Sequence, residues 1–422
     1  MDYRRRTIDA ELDELLPGLA AIALEGAKGV GKTATAEQRA ATALRLDDPA
    51  DRTAVVADPR TVLDHPRPTL IDEWQLVPEV WDVVRRQVDR DSTPGQMLLT
   101  GSATAGPGVR LHSGAGRIVR LRMRPMTLEE RGIATPSVRL CDLLSGSRGA
   151  VRGSTTVELT EYVEAIVSSG LPGVYRLPPR FRTAQLDSYV ANVVDHEIPE
   201  LGVGVRHPEV LRAWFKAYAA ATSTTASYNR ILDAATPGED AKPAKATVQT
   251  YRSLLERLWL LDPVPGWVPA LAPFSRLVQA PKHHVVDPGL AAHLLGATPE
   301  SLLRGGPVPS PHEGRLLGAL FESLATLCVR TAAQAAGARV FHLRTRGGEQ
   351  EVDLVVERAD HRVLAIEVKL GVAVDDDATR HLRWLRRELG DRLLDAAVLT
   401  TGTVAHRRAD GIAVIPLALL GA

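Results

Sequence analysis

An eight-residue stretch from Gly26 to Thr33, with the sequence GAKGVGKT, constrains this chain more than any other feature. It matches the pattern G-x-x-x-x-G-K-[ST] at every fixed position, and the apolar run AAIALE precedes it. Glycines let backbone N–H groups approach phosphate oxygens, and a helix that starts at Lys32 would point its positive end at them. The stretch therefore predicts a phosphate-binding loop between a strand and a helix, within a parallel sheet covered by helices.

The loop residues have distinct expected roles. Lys32 is expected to reach the β- and γ-phosphates of ATP, and the hydroxyl of Thr33 is expected to bind Mg²⁺. The segment ATAEQRAATALRL (34–46), rich in Ala and Leu, predicts the helix that follows. A plain Gly-rich turn is the alternative, but the match to the pattern is specific. The predicted nucleotide contacts in the loop are Gly26, Lys28, Gly29, Val30, Gly31, Lys32, Thr33 and Ala34.

Two further apolar segments end in polar residues. The first, TLIDEW, ends in an acidic pair, in which Asp72 is expected to hold Mg²⁺ and Glu73 to polarise the attacking water. A solvated helix cap is the alternative interpretation of this pair. The second, QMLLTGS, ends in a tip whose Thr100, or alternatively Ser102, is expected to sense the γ-phosphate. An ordinary exit from a strand into a turn is the alternative there.

Arginines crowd the stretch that follows these segments. Most of them are expected to form a solvated or DNA-facing surface. Arg117 follows two glycines in GAGR, and we expect the loop to project it as an arginine finger across a subunit interface of a homo-oligomer. The arginines of this stretch are Arg110, Arg117, Arg120, Arg122, Arg124 and Arg131.

Composition limits the class of protein. With 422 residues the chain exceeds one ordinary core, so several domains are expected. The formal net charge is +0, so binding to DNA requires local patches, and no membrane association is expected. Cys141 and Cys328 stand far apart, the N-terminus lacks an apolar signal core, and the histidines lack zinc-ligand spacing. A cytoplasmic protein is therefore expected.

The chain divides into five segments by pattern. Residues 1–135 alternate short apolar runs with helical stretches, and residues 136–204 predict a helical lid or connector. Residues 205–270 predict three helices and a hairpin, and the Pro-rich residues 271–313 predict a linker. Residues 314–422 predict a long helix followed by strands and helices.

The order of motifs resembles a large family of prokaryotic AAA-type ATPases of unassigned cellular role, which carry an uncharacterised C-terminal domain. The motifs are GAKGVGKT, IDEWQ, LTGS, GRIV and PMTLEE (125–130). Gly170-Leu171-Pro172 is similar to a lid motif whose proline contacts the nucleotide in related ATPases. Trp74 departs from the small aliphatic residue of the family, and a charged insertion, PGEDAKPAK (237–245), interrupts the third segment.

The third segment resembles a winged helix. Its expected helices are Val210 to Ala221, Ser227 to Ala235 and Ala246 to Leu258, the last of which would be the recognition helix. A structural helical module without a DNA role is the alternative. The exposed face of the last helix, compatible with contacts to double-stranded DNA, carries Lys245, Gln249, Arg252, Ser253 and Arg257.

Two strands of the C-terminal segment are expected to form a hairpin. With the turn centred near Asp360, Asp353 falls opposite Glu367, and Lys369 shares a face with Glu367. This D…E-x-K arrangement resembles the core of PD-(D/E)XK nucleases, and Glu322 matches the helix-borne acid of that fold. The resemblance implies a Mg²⁺ site that cleaves DNA, and the alternative is a set of residues kept for folding or binding.

Together these patterns predict an α/β fold: an AAA-type P-loop NTPase domain with a helical lid, a winged helix and a C-terminal restriction-endonuclease-like domain. The expected function is Mg²⁺-dependent hydrolysis of ATP by a nucleotide-driven switch that binds DNA. Two other interpretations remain open. One is an ATP-dependent DNA nuclease in defence or repair, and the other is a non-enzymatic ATP-bound module for protein interaction.

Overall fold

The computed structural model describes residues 3–103, 114–201, 207–236, 245–268, 280–304 and 313–422. Arg110 and most of the predicted charged insertion at 237–245 lie outside these residues, as do residues 271–279 and 305–312 of the predicted linker. The side chain of Lys245 also lies outside the described part.

The N-terminal region builds a parallel sheet with the strand order β2-β3-β4-β1-β5. Strands β1, β3 and β4 are buried at every residue, as expected for a parallel sheet with both faces covered. The strands are β1 (Ala21–Glu25), β2 (Thr42–Arg45), β3 (Thr69–Asp72), β4 (Met97–Gly101) and β5 (Ile118–Arg122). The helices are α1 (Thr7–Leu15), α2 (Lys32–Glu37), α3 (Pro49–Ala57), α4 (Glu79–Arg90) and α5 (Leu128–Arg131).

The helix predicted over residues 34–46 is wrong in its second half. Helix α2 ends at Glu37, and the chain then enters strand β2. Thr42 pairs with Thr69 and Arg45 with Asp72, so β2 extends the parallel sheet beside β3. Ala and Leu favour a helix only weakly, and pairing along the sheet edge outweighs that preference here.

The middle of the chain is mostly helical in its described part. Helix α8 continues through a single π-helical turn at Val193–Glu197 into α9. Two short strands, β6 (Val138–Arg139) and β7 (Gly153–Ser154), flank α6 (Leu140–Ser145). The other helices are α7 (Leu159–Val167), α8 (Pro179–Asn192), α9 (Ile198–Glu200), α10 (Pro208–Ala220), α11 (Tyr228–Ala235), α12 (Lys245–Arg257), α13 (Pro288–Leu294) and α14 (Pro299–Arg304).

The C-terminal region forms a mixed sheet with the order β7-β12-β13-β11-β10-β9-β8. Strands β9 and β10 form the predicted antiparallel hairpin, and β10 pairs with β11 in parallel. Its helices are α15 (Glu313–Ala335) and α16 (Arg380–Leu389). Its strands are β8 (Arg339–Arg344), β9 (Glu351–Glu357), β10 (Val363–Val368), β11 (Leu393–Thr400), β12 (Val404–Arg407), β13 (Ala413–Pro416) and β14 (Leu420–Gly421).

Residues 138–154, part of the predicted lid or connector at 136–204, pair with strands of the C-terminal region. Strand β6 pairs with β14, and β7 forms the edge beside β12. Arg148 donates hydrogen bonds to the carbonyl oxygens of Leu393 and Leu394. The other described helices of the predicted lid or connector are α7, α8 and α9.

The predicted linker is structured where it is described. Lys282 and Val285 form antiparallel bridges with Val264 and Leu261, so residues 280–286 are the second half of a paired segment. Helices α13 and α14 follow, and α13 buries Leu290 and its neighbours. Prolines predicted a linker, but the apolar residues between them are drawn into the core.

Helix α15 runs through the interior of the molecule. Among the described residues, only its span Leu316–Ala335 is long and apolar enough to cross a membrane by length and composition. About two thirds of its most apolar window (67%) is buried by contacts with other elements of the protein. Core packing accounts for this apolar sequence.

Candidate functional site

The phosphate loop follows β1, and two glycines fix its shape. A Cβ atom at Gly26 would lie 2.2 Å from the carbonyl oxygen of Met123, so no side chain fits there. Gly31 adopts a φ of 100°, a conformation that favours glycine, directly before helix α2 begins at Lys32. The sequence pattern G-x-x-x-x-G-K-T therefore matches the steric demands of the loop.

Lys32 lies inside the curve of this loop. Its Nζ donates hydrogen bonds to the carbonyl oxygens of Gly26, at 2.8 Å, and Ala27, at 3.0 Å. Only 5% of the residue is exposed, and burial lowers the pKa of Lys32 to about 8, although Glu73 and Asp72 oppose this shift. The ammonium group is thus held by carbonyl dipoles.

Asp72 stands at the end of β3, between the loop and β4. Its Oδ1 accepts a hydrogen bond from the hydroxyl of Thr33 at 2.8 Å and a second one from the hydroxyl of Thr100. Burial raises the pKa of Asp72, while these two hydrogen bonds act in the opposite direction. The structure therefore brings Thr33, Asp72 and Thr100 together, as expected for the Mg²⁺ side of a nucleotide site.

Glu73 follows directly and has a φ of 53°, which is unusual for a residue with a side chain. This conformation ends β3, and the carboxylate faces the tip of β4. Glu73 Oε2 accepts hydrogen bonds from the Ser102 hydroxyl at 2.8 Å and from the side-chain amide of Gln75. Ser102, the alternative to Thr100 in the sequence, thus contacts Glu73, whereas Thr100 contacts Asp72.

Helices from the middle of the chain cover the loop. The hydroxyl of Tyr189 donates to the carbonyl oxygen of Lys28 at 3.1 Å, and Lys28 Nζ lies 3.5 Å from Glu197 Oε1. On the other side, Pro172 lies 3.6 Å from the position of a Cβ atom built on Gly31. The predicted lid motif therefore faces the phosphate loop.

Two cavities flank the loop. The first, of about 550 Å³, lies on the side of Gly31 and Ala34. It is lined by Tyr3, Arg4, Arg6, Gly31, Ala34, Thr35, Met126, Pro172, Tyr175 and Arg176. The second, of about 320 Å³, lies on the side of Lys28 and Glu73. It is lined by Lys28, Asp47, Arg52, Glu73, Gln75, Leu76, Ser102, Ala103, Glu197, Glu200, Leu201 and Leu258.

Arg6 supports the loop from the N-terminal segment and was not singled out by any sequence motif. Its guanidinium donates to the carbonyl oxygens of Val30 and Arg124, each at 2.7 Å, and its Nε lies 3.1 Å from Glu130 Oε1. Glu130, the last residue of the PMTLEE motif, also closes a capping box with Thr127. The sequence indicated the PMTLEE motif but not Arg6, its buried partner.

The arginine-rich stretch differs from the predicted solvated surface. Arg124 and Arg131 are only 8% and 5% exposed. Arg122 and Arg124 form ion pairs with the buried Asp262 at 3.0 Å and 2.8 Å, which tie the end of β5 to the middle of the chain. Buried ion pairs thus replace the expected solvent contacts at Arg122 and Arg124, whereas the side chains of Arg117 and Arg120 stay 47% and 43% exposed.

Arg117 lies at the start of β5, where Ile118 pairs with Ala21 at the start of β1. The phosphate loop follows the other end of β1, so Arg117 lies far from the loop of its own chain. Its side chain is 47% exposed, and its Nε lies 2.7 Å from Asp89 Oδ1. Arg117 therefore does not reach the phosphate loop of its own chain.

The C-terminal carboxylates converge on β9 and β10. The register pairs Ile366 with Leu354, which places Glu367 opposite Asp353 on the next positions. Asp353 Oδ2 accepts a hydrogen bond from the backbone N–H of Val368 at 2.9 Å, and Lys369 Nζ lies 3.1 Å from Glu367 Oε2. Burial and the nearby charge of Asp353 raise the pKa of Glu367 well above its usual value.

Lys282, from the predicted linker, enters this cluster. Its Nζ lies 2.9 Å from Glu322 Oε1, 3.0 Å from Asp353 Oδ1 and 3.4 Å from Glu351 Oε1. The predicted residues Glu322 and Asp353 are therefore near one another, with a lysine between them that the sequence did not indicate. Within the described ranges, no group of three or more His, Cys, Asp or Glu residues is placed to hold a metal ion.

Helix α12, the predicted recognition helix, buries one face and exposes the other. Gln249 and Ser253 are exposed, and Arg257 is half-buried. The guanidinium of Arg252 lies 3.0 Å from Glu256 Oε1 and 4.7 Å from the ring centroid of Tyr228. The positive charge of Arg252 is thus balanced within the protein.

Three family models match separate parts of the chain. Residues 20–131 match a model described as an AAA domain. Residues 159–301 and 317–420 match two models described as domains of unknown function, DUF8612 and DUF4143. The prediction of an AAA-type P-loop region is confirmed for residues 20–131.

Two mycobacterial proteins resemble most of the chain. It is 24% identical over 382 residues to an uncharacterized protein of Mycobacterium tuberculosis (strain H37Rv), an alignment that covers 87% of this chain and 74% of that protein. The same identity and coverage hold for an uncharacterized protein of Mycobacterium bovis (strain AF2122/97). Neither name describes an activity.

Two solved structures from Aeropyrum pernix align with the chain. One is the ORC2 protein in ADPNP-ADP complexes, with 13% identity, coverage of 69% of this chain and 90% of that chain, and a TM-score of 0.28. The other is the ORC1 protein in complex with DNA, with 13% identity, coverage of 69% and 92%, and a TM-score of 0.25.

Proposed function

We propose that this chain is a Mg²⁺-dependent ATPase whose helices α7 to α9 respond to the nucleotide. The observation that carries the proposal is the convergence of Lys32, Thr33, Asp72 and Thr100 at the ends of β1, β3 and β4. Lys32 would meet the β- and γ-phosphates, and Thr33 and Asp72 would hold Mg²⁺ with its water shell. The residues present fit this metal, since each offers an oxygen ligand.

The two cavities on either side of the loop suit the two ends of ATP. The first is lined by Pro172, Tyr175 and Ala34, whose apolar surfaces suit the adenine ring, and also by Arg4 and Arg176. The second contains Glu73 and Ser102, beside the position expected for the γ-phosphate. ATP would therefore lie along the loop, with its base beneath the lid motif.

Glu73 would act as the base that polarises the attacking water. Its carboxylate is held by Ser102 and Gln75, so its position is fixed before a nucleotide binds. Thr100 and Ser102 would couple β4 to the two acids, one hydroxyl to each. Hydrolysis would change the charge next to Lys28, which already contacts Glu197 on the lid.

The direct test is a Mg²⁺-dependent ATPase assay on the parent protein and on Asp72→Asn. The parent should release phosphate only when Mg²⁺ is present, and Asp72→Asn should lose most of this release because the neutral amide holds the metal poorly. A parent protein that binds ATP but never releases phosphate would favour the non-enzymatic module. Equal turnover by both proteins would refute the role of Asp72.

An arginine finger is a further part of the proposal. Because Arg117 lies beside the end of β1 that is opposite the phosphate loop, it would act only on the nucleotide of a neighbouring copy. Turnover per chain should then rise with protein concentration, and Arg117→Ala should remove this rise without weakening ATP binding. Turnover that is independent of concentration would exclude the finger.

A second proposed function is duplex binding through α12, favoured by the exposed polar face that includes Gln249 and Ser253. Since Arg252 is already paired with Glu256, we expect Glu256→Gln to free its charge and strengthen binding. Arg252→Ala and Arg257→Ala should weaken binding and flatten its dependence on salt. Absence of any shift in the mobility of duplex DNA at low salt, with and without ATP, would favour a protein-contact role for α12.

Cleavage of DNA by the C-terminal region is the remaining alternative. It would require a divalent cation at Asp353 and Glu367, with Glu322 on the neighbouring helix. The geometry weighs against this role in the parent chain, because Lys282 already contacts Glu322 and Asp353. Mg²⁺ or Mn²⁺ supporting cleavage, with loss on Glu367→Ala, would reverse that assessment.

A further inference from the structure

The cluster around Lys282 joins parts of the chain that are far apart in sequence. Glu322 lies on α15, and Glu351 and Asp353 lie on β9, 40 to 71 residues after the lysine. Lys282 itself belongs to the region matched by one family model, while all three acids belong to the region matched by another. One region therefore supplies the cation and the other supplies the carboxylates.

Both the backbone and the ammonium group of Lys282 are held by specific contacts. Its backbone N–H and carbonyl exchange hydrogen bonds with Val264, each at 2.9 Å. The side chain is 1% exposed, and its ammonium group has three donors for the oxygens of Glu322, Asp353 and Glu351. Pairing of the backbone with Val264 thus positions the side chain so that its ammonium group lies within the cluster.

The ammonium group of Lys282 lies next to the buried carboxyl groups of Glu322 and Asp353. Burial disfavours every charged form, but Lys282 holds the pKa of Asp353 at about 2, and the acids hold the pKa of Lys282 well above its usual value. Burial raises the pKa of Glu322 to about 7, although Lys282 opposes this shift. Without Lys282, the cation nearest to these acids would be Lys369, which already pairs with Glu367 at 3.1 Å.

A divalent cation would need the same place. Carboxylate oxygens bind Mg²⁺ at about 2.0–2.1 Å and Ca²⁺ at about 2.3–2.6 Å, and several of them must point at one centre. Here the oxygens of Glu322 and Asp353 point at one centre, and the ammonium nitrogen stands at 2.9 Å and 3.0 Å from them. A metal ion and this ammonium group therefore exclude each other.

We propose that Lys282 is a built-in cation that occupies the place of a divalent metal in the C-terminal carboxylate cluster and joins two regions of the chain. Removal of its charge converts the cluster into a binding site for a divalent cation such as Mn²⁺. In the parent chain, Lys282 balances the charges of Glu322 and Asp353 in place of a metal ion. Its ion pairs connect the segment at 280–286 to the C-terminal sheet.

The test compares uptake of Mn²⁺ by nucleotide-free protein after removal of metals by chelation. Absence of nucleotide keeps the phosphate loop from contributing a Mg²⁺-type site. Electron paramagnetic resonance of free Mn²⁺ should show one more bound ion per chain in Lys282→Met than in the parent. Saturating Mn²⁺ should also raise the melting temperature of Lys282→Met by several degrees and leave that of the parent unchanged.

Two controls test whether the gain of Mn²⁺ is specific to the loss of Lys282 or follows from the loss of any nearby lysine. Lys369→Met removes the lysine beside Glu367, whose side chain is 41% exposed, and should gain no Mn²⁺ because Lys282 remains in place. Lys282→Met combined with Asp353→Asn should lose the gained ion, because the cluster then lacks its most central carboxylate.

The outcomes decide the proposal in either direction. Uptake of one Mn²⁺ by the parent that Asp353→Asn abolishes would overturn it, as would a folded Lys282→Met that takes up no additional ion. If Lys282→Met does not fold without metal, refolding in Mn²⁺ but not in a chelator supports the proposal. Failure to refold in Mn²⁺ as well as in the chelator overturns it.

Discussion

The phosphate loop and the C-terminal cluster both place a buried lysine near carboxylates, but they treat the charges differently. Lys32 bonds to carbonyl oxygens and Asp72 accepts from hydroxyl groups, and in the described part of the chain neither enters an ion pair. Lys282, in contrast, lies within 3.4 Å of oxygens from three acids. The charges of the first site are not neutralised by ion pairs and can still interact with a charged ligand. The charges of the second site neutralise one another.

The comparison shows that residue types alone do not identify a binding site. Both sites combine acids with a lysine, as sites for phosphate or metal do. What differs is whether neutral dipoles or opposite charges satisfy the buried groups. A buried charge held only by dipoles gains from a charged ligand, whereas a charge already paired gains little.

The largest expected effect concerns turnover at the first site. Glu73→Gln should lower kcat for ATP hydrolysis by about 10²–10⁴-fold, the usual contribution of a general base. Binding of ATP should persist, since Lys32 and Thr33 are untouched. Parallel measurements of phosphate release and of ATP affinity by calorimetry check both parts.

Glu79→Gln is the matched control for this change, because Glu79 is an exposed carboxylate at the start of α4. It should hydrolyse ATP at the parent rate. If Glu73→Gln also does so, the base lies elsewhere, and the phosphate loop belongs to the class of sites that only bind.

The second prediction concerns stability at the C-terminal cluster. Lys282→Met should destabilise the protein by about 3–5 kcal/mol in the absence of metal, because the buried acids lose their cation. Lys369→Met should cost only about 1 kcal/mol, since the side chain of Lys369 is partly exposed and solvent screens its charge. Denaturant unfolding measures both, and equal losses would contradict the distinction between the two lysines.

Much of the fold near strong motifs could be predicted from the sequence. The phosphate loop demanded a strand before it and a helix after it, and the structure has both. The extent of that helix could not be predicted, because Thr42 to Arg45 form a strand only through pairing with β3. Prolines near Lys282 likewise indicated a linker, although the backbone of Lys282 pairs with Val264.

Some residues of the C-terminal cluster could likewise be placed from the sequence, whereas others could not. Alternation of residues and the turn near Asp360 were enough to set Asp353 opposite Glu367, because strand geometry fixes such pairs. No local pattern pointed to Lys282, whose partners Glu322 and Asp353 follow 40 and 71 residues later. Long-range partners of a single charged residue become visible only when the chain is folded.

The third prediction compares the effect of removing Lys32 with that of removing Lys282. Lys32→Ala should weaken ATP binding by about 2–3 kcal/mol, the scale of hydrogen bonds to charged groups. It should not destabilise the free protein, because burial that lowers the pKa of Lys32 to about 8 makes its charged form unfavourable. Calorimetry and denaturant unfolding of the same variant measure the two effects, and a large loss of stability would place Lys32 with Lys282.

The smallest effect is a dependence of ATP affinity on pH. In the free protein the pKa of Lys32 is lowered to about 8, and bound phosphates would raise it again. Below pH 8 the lysine is protonated in both states, so it contributes no dependence. Above pH 8 binding must take up a proton, and affinity should fall by up to about tenfold, or about 1.4 kcal/mol, per pH unit.

The conservative variant Lys32→Arg isolates this linkage, because a guanidinium stays protonated throughout the range. It should bind ATP with little change in affinity between pH 8 and pH 10, while the parent weakens. Calorimetry in buffers of different ionisation enthalpy should show proton uptake for the parent at pH 9 and none for Lys32→Arg. Identical pH profiles would mean that Lys32 is fully charged before ATP arrives, and the contrast in how the two sites hold their lysines would then rest on ion pairing alone.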